Sequence, residues 1–142
     1  MAKGLYPVKN LNKYIGDPRK VRFLSSWERN FCVNCDTNPN IIQWGSEPFK
    51  IQYWNPIKNR VANYFPDFII KYRDARGEVI TEVIEIKPMK QSVTSKSMST
   101  YDKLSLIVNH AKWQAAVAVC ESHNIRFRVV TEQDLFRQKP KK

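Results

Sequence analysis

The chain has 142 residues, 42% of them hydrophobic and 26% charged, with a formal net charge of +11. That length and apolar content fit one globular domain with a single moderate core, and the positive excess calls for a polyanionic partner, nucleic acid first. No apolar run has transmembrane length, no long basic amphipathic helix offers itself to a lipid surface, and the N-terminus lacks the apolar segment of a secretory signal, so a cytosolic protein with no membrane role is expected.

Residues 1–22 are basic and turn-rich, with a Gly16-Asp17-Pro18-Arg19-Lys20 turn, and read as an irregular arm that lies over the domain or reaches a partner. Its cations Lys9, Lys13, Arg19, Lys20 and Arg22 are candidates for phosphate contacts, or simply for solubility. Ser25-Ser26-Trp27-Glu28 opens a helix, with Ser25 as N-cap and Glu28 three residues on, as in a capping box. Trp27, Phe31 and Cys35 recur at helical spacing and should face the core, and Asp36 to Asn40, with Pro39, ends the helix. Glu28 has two readings at this point, a capping carboxylate or a third acid aimed at a site; the local pattern favours the cap. Three cysteines make no disulfide framework. Cys32 and Cys35 have C-x-x-C spacing, but Cys120, His110 and His123 fall at no zinc-ligand spacing, so the pair reads as half-buried thiols.

Ile41 to Gly45 is a short extended piece, and residues 49–54 alternate as a strand. Asn55-Pro56 begins a turn with Lys58 and Arg60 at its tip. A central hairpin occupies residues 63–88. Residues 89–100 are rich in Lys, Ser and Thr without periodicity and read as a mobile loop, with Lys90 and Lys96 available to phosphates. Residues 104–124 turn helical, with Leu104, Ile107, Val108, Ala111, Ala115, Ala118 and Val119 as one stripe; Lys112 sits at its edge, within reach of a phosphate or simply solvated. Residues 125–130 form a strand, residues 131–136 start a short helix, and residues 138–142 make a basic disordered tail. The single domain is thus expected over residues 23–137.

The hairpin carries the chemistry. Its strands are the β-rich runs Phe68 to Tyr72 and Val79 to Ile86, joined by Asp74-Ala75-Arg76-Gly77. A turn centred near Arg76 puts Asp67 opposite Glu85, and directly opposed residues share a face. Glu85 and Lys87 are two apart and share it too. Two carboxylates on a mostly buried patch repel, and burial raises their pKa values. Mg²⁺ or Mn²⁺ removes the conflict because these hard cations prefer oxygen ligands, and the Ile86 carbonyl between Glu85 and Lys87 offers one more. Lys87 can then orient a water or face phosphoryl charge. An ordinary hairpin with solvated charges has the same spacing, so the residues alone leave both readings open.

This order of elements, with Pro66-Asp67 on one strand and Glu85-Ile86-Lys87 on the next, resembles the PD-(D/E)XK nuclease superfamily. The resemblance implies an α/β, restriction-endonuclease-like αβββαβ core with a mixed central sheet flanked by helices. Ser26-Trp27-Glu28, Asn38-Pro39, Ile41 to Glu47, Tyr64 to Phe68, Glu85 to Pro88, Lys112-Trp113, Ile125-Arg126-Phe127 and Val130-Thr131-Glu132 narrow it. Over most of the chain they are similar to the head completion nucleases of large contractile-tailed bacteriophages, and to the endonuclease subunit of Tn7-like transposases.

The resemblance implies a Mg²⁺-dependent endonuclease acting on packaged DNA before tail attachment, in the host cytoplasm or carried in the virion, with portal or neck proteins as further partners. Asp67 and Glu85 would bind metal with the Ile86 carbonyl, Lys87 would assist the water, and Glu28 would support the metal site from the helix. Hydrolysis would leave a 5′ phosphate. Lys20, Arg22, Lys58, Arg60, Lys90, Lys96 and Lys112 would hold the DNA backbone, with steep salt dependence and little base readout. Trp44, Tyr53 and Trp54 are candidates for stacking on a base, though core packing accounts for such residues as well. A homodimer would cut both strands, but no exposed apolar stripe calls for one. The competing readings are a non-catalytic basic DNA-binding head or neck protein, and a junction resolvase or transposase-type nuclease of the same superfamily.

Overall fold

The computed structural model describes residues 3–88, 99–131 and 134. Four strands form the central sheet: β3 (Ile41–Ser46), β6 (Phe68–Arg73), β7 (Val79–Ile86) and β8 (Arg126–Val130), in the order β3-β6-β7-β8. The first two pairings are antiparallel and β7 pairs β8 in parallel, so the sheet is mixed, as expected. The parallel pair requires a long crossover. The helix α2 (Thr100–Ser122) lies within that crossover. The remaining strands are β1 (Gly4–Leu5) with β2 (Arg22–Phe23), and β4 (Ile51–Asn55) with β5 (Arg60–Tyr64).

Helix α1 (Ser26–Thr37) begins as its sequence requires: the Ser25 side chain accepts from the Glu28 N–H at 3.2 Å. Phe31, Cys32 and Cys35 are buried and Trp27 packs half-buried beside them. They meet Trp44, Phe68, Ile70, Ile84 and Ile86 in the larger core. Strand β7 is covered on both faces. Ile84 and Ile86 face α1, while Val83 and Glu85 alternate to the opposite side, so Glu82 to Ile86 are all buried.

Two expectations need correction. The strand at residues 49–54 does not enter the central sheet; β3, read as a mere extended piece, takes that place. Strand β4 instead pairs β5, which was hidden in the expected turn, from Ile51↔Tyr64 to Asn55↔Arg60. Alternation reports that Ile51, Tyr53 and Asn55 have a covered face, not what covers it. Buried Pro66, lacking an N–H, separates β5 from β6 and lets the chain pass from one sheet to the other. The second correction concerns α2. It starts earlier, where Ser99 accepts from the Asp102 N–H at 3.0 Å, and it buries Leu106, Asn109, Ala116 and Cys120. Leu104, Ile107 and Ala118 are exposed. This helix is apolar around most of its girth, and its contact with Ile51, Tyr53, Tyr64 and Phe127 selects the buried stripe.

The N-terminal segment lies over the domain. Tyr6 and Val21 join the core, and Asp36 accepts from the Tyr6 hydroxyl at 2.7 Å and from the Lys9 and Asn10 N–H groups at 2.8 and 3.0 Å. The Ile15 N–H donates to the Trp44 carbonyl at 2.7 Å, covering the free edge of β3. Gly45 permits the approach, since a Cβ there would come within 2.8 Å of the Ile15 carbonyl oxygen. The expected loop with Lys90 and Lys96 lies outside the described residues except for its last two positions. So does the tail at 138–142. Of the final helix only Thr131 and Asp134 are described, with the Thr131 N–H donating to the Asp134 carboxylate at 2.9 Å.

Candidate active site

The β6–β7 hairpin has the register its turn dictates. Arg73 pairs with Val79 about Arg76, and the ladder runs to Phe68↔Ile84, so Asp67 stands level with Glu85. Asp67 closes the ladder with its side chain: Oδ2 accepts from the Ile86 N–H at 2.8 Å. Its own carbonyl accepts from the Glu47 N–H at 2.8 Å, where Glu47 takes a left-handed φ of 46°. Glu85 is held at both oxygens. The Tyr64 hydroxyl donates to Oε1 at 2.8 Å, and the Lys87 ammonium lies 3.7 Å from Oε2. The Lys87 N–H donates to the Val130 carbonyl at 2.9 Å, fixing that residue at the end of the β7–β8 pairing.

Both carboxyls are pushed above the usual carboxylate range. Burial is the main cause for Asp67, followed by the charge of Glu85; the Ile86 N–H and Lys87 oppose it only in part. Burial likewise raises Glu85, against the Tyr64 hydroxyl, Lys87 and Lys112. The pair is therefore short of positive charge, and its donors are all oxygen. That donor set fits a hard divalent cation held by Asp67, Glu85 and a backbone carbonyl such as that of Ile86.

Glu28 serves as a cap and as an electrostatic neighbour. Its Oε1 accepts from the Leu24 N–H at 3.1 Å. Burial raises its pKa while Lys87 lowers it, and its charge in turn pushes Asp67 up. Among the described residues no three His, Cys, Asp or Glu side chains form a group that could hold a metal ion.

Lys112 departs from expectation. It is half-buried rather than solvated, with Nζ 5.7 Å from the Tyr64 ring centre and 6.0 Å from that of Tyr53. Burial, then Lys87, push its pKa down, while Glu85 and Asp67 pull it up. Tyr64 was not singled out as a site residue by sequence reasoning. A buried tyrosine hydroxyl needs a partner, but only the hairpin's packing reveals that the partner is Glu85.

The other basic candidates are dispersed. Lys20 and Arg22 are exposed on the N-terminal segment, Arg22 lying 3.9 Å from Glu47. Lys58 and Arg60 are exposed at the β4–β5 turn. Two cations of the segment already have partners: Lys13 Nζ donates to the Asp36 and Asn38 carbonyls at 3.2 and 3.0 Å, and exposed Arg19 pairs with Asp17 on the surface at 3.1 Å. Trp44 and Tyr53 are buried, which leaves Trp54, 54% exposed, as the accessible aromatic of the three. Cys32 and Cys35 are fully buried in the core, and burial pushes the Cys32 thiol up to about 12.

Residues 38–132 match the family model described as the TnsA-like endonuclease N-terminal domain. The span includes Asp67, Glu85, Lys87 and Lys112 and begins after Glu28. The head completion nuclease of Enterobacteria phage T4 is 37% identical over 142 residues, covering 93% of this chain and 92% of that relative.

Proposed function

The chain belongs to the TnsA-like endonuclease family, and from that premise we propose that it cuts DNA by divalent-metal-dependent phosphodiester hydrolysis at Asp67, Glu85 and Lys87. One observation carries the reading: two buried carboxylates, both pushed toward protonation, stand level on adjacent strands with an ammonium 3.7 Å from one of them. Mg²⁺, or Mn²⁺ in its place, would be held by Asp67, Glu85 and the Ile86 carbonyl and would supply Lewis-acid stabilisation of phosphate charge. Tyr64 fixes one oxygen of Glu85, and the Ile86 N–H fixes one oxygen of Asp67, so the remaining oxygens are oriented in advance. Lys87, anchored by its own N–H at the sheet end, holds the attacking water. Addition of that oxygen to phosphorus breaks the bond to O3′ and leaves a 5′ phosphate and a 3′ hydroxyl. Glu28 tunes the Asp67 charge from the start of α1. Lys20, Arg22, Lys58 and Arg60 hold the DNA backbone without reading bases.

The name of the T4 relative supports a role in completing phage heads. The protein then acts on packaged DNA before tail attachment, in the host cytoplasm, with portal or neck proteins as partners. The test is cleavage of linear, nicked and branched DNA with Mg²⁺, Mn²⁺ or EDTA, by wild type, Asp67→Asn and Lys87→Ala. Chelator-sensitive cutting lost in both variants, with DNA binding kept, is expected. Equal binding and no cutting by any of them on any substrate would replace this reading with a DNA-binding structural role.

A further inference from the structure

Lys112 is held in a way that a lysine serving only solubility does not need. It projects from α2 toward the β4–β5 hairpin. There Tyr53 and Tyr64, on the inner face of that hairpin, present their rings to its ammonium at 6.0 and 5.7 Å. Tyr64 is the residue whose hydroxyl holds Glu85 Oε1 at 2.8 Å. Two cations thus act on Glu85: Lys87, 3.7 Å from Oε2, and Lys112, whose ammonium lies 5.7 Å from the ring centre of the tyrosine that occupies Oε1. Among the described residues no carboxylate oxygen comes within 4.0 Å of the Lys112 ammonium, so no ion pair there consumes its charge.

From this arrangement we infer that Lys112 is a second catalytic lysine, stationed by Tyr53 and Tyr64 to face the charge that develops on the departing O3′ of the scissile phosphate. The inference rests on the hydrolytic reading above. In-line displacement places the attacking and leaving oxygens on opposite sides of phosphorus. Both need stabilisation, and the cation that attends one is badly placed for the other. Lys87 serves the water. Lys112 serves the oxygen that leaves, which takes its proton from solvent and becomes the 3′ hydroxyl, while the lysine stays protonated throughout. The two tyrosines are positioning residues: they hold the ammonium without neutralising it, so its charge is available when the phosphate arrives.

The experiment uses the full chain with Lys112→Met, Lys112→Gln and Lys112→Arg on a DNA whose cut position has been mapped. A second copy of that DNA carries sulfur in place of O3′ at that position. Melting temperature and DNA affinity in EDTA are measured alongside kcat. Lys112→Met should keep its melting temperature and bind DNA within about twofold of wild type, while kcat on ordinary DNA falls roughly 100-fold, the size of losing one oxyanion donor. Lys112→Gln serves if the methionine variant does not fold, and Lys112→Arg should retain part of kcat. Sulfur is a far better leaving group and needs no cation, so wild type and Lys112→Met should cut the sulfur DNA at nearly equal rates. An unchanged kcat, a loss confined to affinity, or an equal defect on both DNAs overturns the inference. Failure of the wild type to cut either DNA would remove the hydrolytic reading itself.

Discussion

Tyr64 shows how one hydroxyl sets the character of the site. Glu85 is buried, and the Tyr64 hydroxyl is the hydrogen-bond donor that keeps one of its oxygens satisfied. A donor to the charged form lowers a carboxyl pKa, so its loss must raise it further. Tyr64→Phe should therefore move the acidic limb of the kcat/KM profile to higher pH, because Glu85 then needs a higher pH to ionise. It should also destabilise the fold by roughly 1–3 kcal/mol, the cost of leaving a buried acceptor short of a donor. A pH–rate profile and a urea melt check the two parts separately. An unshifted acidic limb would mean that the Glu85 charge does not govern the rate.

At the scale of elements, three pieces meet at the carboxylates. The β6–β7 hairpin brings Asp67 level with Glu85, the β4–β5 hairpin supplies Tyr64, and α2 supplies Lys112. The N-terminal segment stabilises this assembly from behind, through Asp36. Burial pushes the Asp36 carboxyl up, but the Lys9 N–H, the Tyr6 hydroxyl and the Asn10 donors outweigh it and hold the pKa below its ordinary value. Asp36→Ala leaves three donors without their acceptor and should cost about 3 kcal/mol in a urea melt. Protease cleavage within residues 3–22 should accelerate in the same variant. An unchanged cleavage rate would show that the Ile15–Trp44 contact is enough to hold the segment.

For the whole molecule, the raised carboxyls make stability depend on pH and on metal. Asp67 and Glu85 have folded pKa values above their unfolded ones, so the stability linked to their protons is complete below about 4 and is lost as pH rises through their raised folded values. Glu28 has the same sign. Asp36 has the opposite sign: its contribution is present above the unfolded carboxyl range and is lost only as pH falls through its lowered value. Between mildly acidic and mildly alkaline pH the trend therefore belongs to the raised group. The melting temperature of the metal-free protein should fall across that window, and Asp67→Asn should flatten the fall. Saturating Mg²⁺ should raise the melting temperature of the wild type at alkaline pH by binding the folded state alone, and leave Asp67→Asn nearly unmoved. Differential scanning calorimetry at several pH values checks all three outcomes.

Local physics wrote much of this into the sequence. The capping residues of α1, the β-rich runs flanking Arg76 and their tight turn determined the start of the helix, the hairpin register and the pairing of Asp67 with Glu85. Those are interactions between residues close in the chain, and each leaves a pattern in the residues themselves. The net charge of +11 pointed to a polyanion by the same kind of direct reading. Packing of distant elements chose which covered face met which partner. Alternation marked Ile51 and Tyr53 as buried, but not that α2 and a separate hairpin would bury them. The apolar girth of α2 left its inward stripe undetermined, and with it the place of Lys112. The Tyr64–Glu85 bond joins residues 21 positions apart on strands of different sheets. Such contacts depend on how whole elements pack, and packing selects among faces that look equivalent along the sequence.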